Sequence, residues 1–286
     1  MRLLRFLLLS ACGGLGLAPA GLRAQADETW RAWNAPVEPF RIVANIYYVG
    51  TADLACYLVA TPEGHLLIDG GLPETPPRIR ASVAKLGFRL EDVRILLGTH
   101  AHADHAGGLA ELKQATGARL CVGAADAAQY AAGGKGDFHW GDRLLFPAVE
   151  AEERLQDGAT ITLGGTTVVA RHTPGHTRGN LSFTLRVEEA GRPLDVVIAG
   201  SVTAPGYRLA GNPAYPEIQT DFEHSFALLR SLPCDVFLAP HAHVFGMDGK
   251  RRQLASGPAE NPFIDPAGYR AWVARSEAAL AAQRPR

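Results

Sequence analysis

Cysteine is scarce: the 286 residues hold four, at Cys12, Cys56, Cys121 and Cys234, and no two form a C-x-x-C pair. Zinc ribbons and thioredoxin-like redox sites are thereby excluded. Positive charge is not in excess either, since 28 Lys and Arg face 29 Asp and Glu. The dense basic surface that drives nucleic-acid binding is missing. No apolar run reaches the roughly 18–20 residues that span a bilayer, and the one apolar stretch, at the N-terminus, is broken by glycine and proline. No stable membrane span is expected. Neither a repeat of solenoid period nor a low-complexity linker divides the chain, which favours one compact domain.

What is present begins with that N-terminal stretch. "MRLLRFLLLSACGGLGLAPAGLRAQA" has basic residues at Arg2 and Arg5, an apolar run, and Ala24 and Ala26 in an A-x-A pattern. It reads as a secretory signal, residues 1–26, leaving a single domain over 27–286 in the periplasm or outside the cell. Cleavage after Ala20 and lipid attachment at Cys12 are the alternatives. Removal to Ala26 takes away Arg2, Arg5 and Arg23 and no acid, so the formal charge of −1 becomes −4. Only Cys56, Cys121 and Cys234 then remain, so at least one thiol is free in an oxidising compartment. Cys56 and Cys121 either pair or are buried free thiols.

Along the rest, "FRIVANIYYVG", "CYLVAT" and "HLLIDGG" read as a three-strand meander, and "PPRIRASVAKLGF" as a helix opened by proline. "RILLGT" is a buried strand and "AGGLAELKQATG" a helix ending at Gly117. The second half gives strands at "ATITLGG", "TTVVARHT", "LSFTLRV", "DVVIAGS" and "CDVFLAP", with helices at "DFEHSFALLRSL" and "PAGYRAWVARSEAALAAQ". Two facing sheets with helices outside suit this order better than one alternating parallel sheet.

The chemistry concentrates in "GTHAHADHAGG", between a buried strand and a helix. In an extended segment residues two apart point the same way, so His100 and His102 reach one ion together. Asp104 and His105 fall where the chain turns and face a neighbouring point. Imidazole and carboxylate make a mixed nitrogen and oxygen shell suited to zinc. His176 in "HTPGHTRGN" and His241 in "APHAHVFG" each follow a strand and a proline-bearing turn, which completes three ligands for each of two ions. His241 is preferred over His243 because it directly follows the strand.

H-x-H-x-D-H-x-G-G at His100–Gly108, T-P-G-H-T at Thr173–Thr177 and the later strand-end histidine together resemble the metallo-β-lactamase superfamily, over roughly residues 37–285. The resemblance implies an α+β fold, a four-layer αβ/βα sandwich of two similar halves with the metal site at one edge of the sheets. It also implies two Zn2+ ions, with His100, His102 and His176 on the first and Asp104, His105 and His241 on the second. In many members, such as glyoxalase II and the lactonases, a second-half strand ends in Gly-Asp and its aspartate bridges the metals. Here "VVIAGS" ends in Ser201. That difference, with "TAPGY", "GNP" and "LPCDVFLAPH", is similar to subclass B3 enzymes; subclass B1 has a cysteine ligand and B2 an asparagine in the first motif.

The B3 resemblance implies hydrolysis of penicillins, cephalosporins and carbapenems by a metal-bound hydroxide, oriented by Asp104, and hence antibiotic resistance. Ser201 and Thr203 are the candidates to hold the substrate carboxylate. Trp33, Phe138 and Trp140 are the candidates to cover the cleft, and a monomer is expected. Departures are Ala103, where larger residues are common, and the lack of a partner for Cys234 in the C-terminal helix. "SVAK" at Ser82–Lys85 matches the S-x-x-K of serine β-lactamases, but the accompanying S-D-N and K-T-G are absent. The rivals are a lactonase or thioesterase on the same fold, an iron-dependent oxidoreductase, and a metal-binding protein without catalysis.

Overall fold

A computed structural model of the chain describes residues 28–283. The expected leader and Cys12 lie outside the described residues. Among the described residues, no helix is long and apolar enough to cross a membrane.

Residues 28–33 form a helix, α1. The meander follows as β1 (Phe40–Val43), β2 (Ile46–Tyr48), β3 (Tyr57–Thr61) and β4 (Gly64–Ile68). Next come α2 (Pro76–Lys85), β5 (Val93–Leu97), α3 (Ala103–Ala106), α4 (Leu109–Thr116), β6 (Arg119–Gly123), α5 (Ala127–Ala131) and β7 (Glu153–Leu155). These seven strands make one sheet in sequence order, antiparallel from β1 to β4 and parallel from β4 to β7. Helices α2 and α4 supply the crossovers that parallel strands require.

The second sheet holds β8 (Thr160–Leu163), β9 (Thr166–His172), β10 (Leu181–Glu189), β11 (Arg192–Ile198) and β12 (Val236–Leu238), in the order β12-β11-β10-β9-β8. Helices α6 (Ile218–Ser231), α7 (Met247–Ala255) and α8 (Pro266–Ala282) complete the chain. Strands β6 and β7 and helices α1, α5 and α7 went unread in the sequence. Helices α1 and α5 span only five or six residues, and β7 is a three-residue edge strand that carries charges rather than an apolar run.

Alternation along the central strands builds two cores. Leu66, Ile68, Ile95 and Leu97 face the second sheet, where Val168, Ala170, Phe183 and Leu185 meet them. Leu67 and Leu96 face the other way, against Ile79 and Val83 of α2 and Leu109 and Leu112 of α4. Strands covered on both faces read as continuous apolar runs for this reason. On the far side Phe222, Phe226, Tyr269 and Trp272 of α6 and α8 close the fourth layer. The architecture is the expected four-layer sandwich.

Local signals end the helices as expected. Gly117 caps α4 in the left-handed region at φ 66°, where glycine pays no Cβ penalty. Cys56 and Cys121 are both buried free thiols, one in each core, so the sheet itself separates them. Ser82 lies on the buried face of α2, and Lys85 pairs with Glu38 at the surface.

Candidate metal centre

The carboxyl ends of β4, β5 and β6 in the first sheet meet those of β9, β11 and β12 in the second, at the edge where ligands gather in α/β structures. His102 is the extended residue that precedes α3, at φ −109° and ψ 151°. His100 and His102 therefore sit on extended chain, while Asp104 and His105 lie in the first helical turn. His176 enters from the turn after β9, and His241 from the residue pair after β12.

The rings converge. His100 lies 4.9 Å from His102, 4.5 Å from His105 and 4.7 Å from His176, centroid to centroid. His102 and His176 are also 4.7 Å apart, with Nδ1 of the first 3.0 Å from Nε2 of the second. On the other side His105 and His241 are 4.9 Å apart. Asp104 Oδ2 stands 3.3 Å from His105 Nε2 and 3.4 Å from His241 Nε2. All six sequence-predicted side chains are thus brought together, in two adjoining sets of three.

Three of the five imidazoles are hydrogen-bonded from behind and the other two face carboxylates, the arrangement that orients metal-binding histidines. His176 Nδ1 donates to the Thr203 carbonyl at 2.7 Å. His241 Nδ1 meets Asp53 Oδ2 at 2.9 Å, and the same carboxylate takes the backbone N–H of His243 at 2.9 Å. His100 Nδ1 lies 3.1 Å from the Thr99 hydroxyl, which donates to Asp69 at 2.8 Å. Asp69 also faces His105 Nδ1, at 3.7 Å, and Asp137 faces His102 Nε2, at 3.4 Å. Asp126 ties the two ligand loops to each other, accepting from Ala101 N, the Thr177 hydroxyl and Gly179 N. Position 179 must be glycine, since a Cβ there would lie 2.3 Å from Asp126 N.

The donor set suits a cation. Burial, reinforced by His102, holds the pKa of His176 down at about 3, so its lone pair is free at neutral pH. Burial likewise depresses His100 well below the usual range. His100 Nε2 is buried with no hydrogen-bond partner, and His100, His102 and His176 present ligand atoms within 4.8 Å of one another. Burial pushes His241 down, but Asp104 and Asp53 outweigh it and raise its pKa to about 9. A second positive charge between those carboxylates is therefore favoured, and a divalent ion can replace that proton. These residues fit two metal ions.

A cleft of about 520 Å³ is lined by five of the six side chains, all but the buried His100. Ser201 and Thr203, just beyond β11, line it, their hydroxyls 3.1 Å apart. Trp33 and Trp140 line it as expected, with Trp33 edge-on to His241 at 4.9 Å. Phe138 is a correction. Its ring packs 5.0 Å from both Tyr207 and Tyr215 and does not line the cleft. Three aromatic rings bury one another there, which a cleft position would forgo. Trp30, Leu144 and Trp272 complete the apolar wall.

Asp53, Asp69, Asp126 and Asp137 escaped the sequence reading. Each is a single acid in a loop, without local spacing to mark it. Asp69 alone left a trace: it follows β4 in "DGG" and adopts φ 61°, a conformation uncommon outside glycine. Residues 28–36 likewise belong to the site's support, since Asp53 N bonds to Trp33 O at 3.0 Å and Thr75 donates to the Asn34 side chain at 2.9 Å.

The metallo-β-lactamase superfamily model matches residues 53–241. The FEZ-1 metallo-β-lactamase of Legionella gormanii superposes with a TM-score of 0.86 at 41% identity, covering 87% of this chain and 96% of that one. BJP-1 of Bradyrhizobium japonicum, a subclass B3 metallo-β-lactamase, gives 0.84 at 37% identity, covering 88% and 96%. Curated sequences match over shorter stretches. The atrochrysone carboxyl ACP thioesterase of Aspergillus fumigatus is 30% identical over 190 residues, 66% of this chain and 37% of that protein. The chain spans less than half the length of such curated relatives. Six candidate ligand side chains at one sheet edge, a serine where other branches carry the bridging aspartate, and similarity to solved enzymes over 87–88% of the chain lead to one assignment: the chain belongs to the metallo-β-lactamase superfamily, in its subclass B3 group.

Proposed function

We propose that the protein hydrolyses the lactam amide of penicillins, cephalosporins and carbapenems with two zinc ions, and that it confers resistance from the periplasm or outside the cell. On this reading residues 1–26 are removed as a signal and 27–286 form the mature domain, a monomer. The observation that carries it is the meeting of six ligand side chains with Ser201, rather than an aspartate, beside them under the cleft. His100, His102 and His176 hold the first zinc; Asp104, His105 and His241 hold the second.

Zinc at these positions supplies ionised water near neutral pH and positive charge opposite the developing negative charge of ring opening. The chain's own groups do the rest. Asp104, fixed between two imidazoles, orients the attacking water by accepting its hydrogen. Among the described residues no Lys or Arg lines the cleft, and the Ser201 and Thr203 hydroxyls, beside the ligand side chains, are placed to donate to a substrate carboxylate. Trp33 and Trp140 cover the apolar face of the substrate and exclude bulk water.

The test is a side-by-side rate measurement on one penicillin, one cephalosporin and one carbapenem, with a homoserine lactone and an acyl thioester as controls. Lactam opening abolished by a chelator and restored by zinc, with two zinc ions per chain, is expected. Turnover of the lactone or thioester without any lactam opening would overturn the substrate, and bound iron would overturn the metal. Sequencing the N-terminus of exported protein reads the cleavage site directly.

A further inference from the structure

Beyond α5 the chain turns back on itself at Asp137, where Gly141 N donates to Asp137 O at 2.9 Å and Asp137 N to Gly141 O at 3.3 Å. The loop between them carries Trp140 into the cleft wall. Asp137 Oδ1 accepts from His139 N at 2.8 Å and from Trp140 N at 2.6 Å. Its other oxygen lies 3.4 Å from His102 Nε2, and both side chains are only 7% exposed. One buried carboxylate therefore touches a metal-site imidazole and the backbone of the cleft wall at once.

Which proton sits between His102 and Asp137 follows from the neighbours. The Thr203 carbonyl only accepts, so His176 Nδ1 carries the proton and its Nε2 is bare. If no cation stands between the rings, His102 Nδ1 must donate to that bare nitrogen, 3.0 Å away. For the neutral ring the single N–H is then used, and Nε2 faces the Asp137 carboxylate as an acceptor. At 3.4 Å the contact between His102 Nε2 and Asp137 is close but is not an aligned hydrogen bond in this structure. A cation held by His102 Nδ1 and His176 Nε2 would reverse this, because the single proton of His102 would then sit on Nε2, on the side of Asp137, where a small shift of the loop would close the hydrogen bond.

We propose that Asp137 is a positioning residue that couples cation binding at His102 to the order of the cleft wall bearing Trp140. The proposal rests on the metal site described above and is independent of the substrate. The wall's remaining attachments do not change with the tautomer. Arg143 bonds to the His139 and Trp140 carbonyls within the loop. His139 packs 4.6 Å from Tyr207, whose hydroxyl donates to the His176 carbonyl. Coupling is reciprocal by thermodynamic necessity, so whatever order the cation imposes on the wall returns as tighter binding of the cation.

Amide hydrogen exchange on full-length protein, stripped with chelator and then reloaded with zinc chloride, tests this. In the wild type, peptides covering 136–143 should exchange more slowly once zinc is bound. D137N keeps an oxygen for the two loop amides but offers no acceptor to His102 Nε2–H. It should lose the zinc-dependent protection and bind zinc on the order of 10–100-fold more weakly in a chelator competition. Zinc binding to the wild type without any change in 136–143 would overturn the coupling, as would a D137N protein that keeps both wild-type zinc affinity and the protection. Should D137N fail to fold, the wild-type comparison alone decides. Failure of the wild type to bind zinc at all is a separate outcome, which removes the metal site and the coupling with it.

Discussion

At the residue scale, the side chains that do chemistry are distinguished by what stands behind them. His241 and His243 are two apart and both reach Asp53, yet only His241 turns Nε2 toward Asp104, and the His243 side chain is 68% exposed. Burial pushes Asp53 up, but His241 and His243 outweigh it and hold its carboxyl well below the usual carboxylate range. Asp53→Ala leaves His241 Nδ1 without its acceptor. It should weaken zinc binding on the order of 10–100-fold in a chelator competition, whereas His243→Ala should change it little. Ser201→Ala should raise KM for a penicillin more than it lowers kcat, because a hydroxyl gripping the carboxylate acts alike in ground and transition states. An unchanged KM would return Ser201 to local backbone bonding with Thr203.

At the scale of elements, the site depends on strand ends and on the helices that brace them. Helix α8 carries Trp272 to the cleft, and its first turn is held by Asp265, which accepts from Gly268 N at 2.8 Å and pairs with Lys250 at 3.0 Å. Burial raises the Asp265 pKa, but Lys250 and the Gly268 N–H outweigh it, so the folded value lies below the unfolded one. The unfolded chain then binds the proton more readily, and the contribution of Asp265 is complete above about pH 4 and lost as pH falls through the folded pKa. Asp265→Ala should lower the unfolding free energy by about 1 kcal/mol at pH 7. In urea titrations the gap from wild type should close as pH falls below about 4, and a gap independent of pH would remove the ionised cap from the account.

For the whole molecule, the two sheets meet at the metal ligands, so bound zinc should stabilise the fold as well as the site. Residues 53–55 pair with 240–242 across the halves, with Ala55 N bonded to Pro240 O and Ala242 N to Asp53 O. A ligand that binds only the folded state contributes about 2.7 kcal/mol at one hundred times its dissociation constant. Chelator should therefore lower the melting temperature by about 5–10 °C for each zinc site of that strength, and zinc should restore it where magnesium does not. A melting curve indifferent to chelator would separate the ligand set from zinc altogether.

Much of the site was legible because its signals are local. His100, His102, Asp104 and His105 fall within six consecutive positions after a buried strand, and chain geometry alone turns two of them one way and two another. His176 and His241 were legible because each follows a strand across a proline turn, and the two sheets were legible in the apolar strands "HLLID" and "RILLG" of the first and "TTVVARHT" and "LSFTLRV" of the second. Phe138 and Trp140 show the limit: one short loop holds both rings, and only its closure at Asp137 and Gly141 set Trp140 toward the cleft and Phe138 onto Tyr207 and Tyr215. The sequence by itself determined the ligand types, their spacing and the layered order of strands and helices, since these follow from neighbours along the chain. Only the tertiary structure decided which acids stand behind the imidazoles and which rings line the cleft, because those contacts join residues as far apart as Asp53 and His241, whose proximity no local pattern encodes.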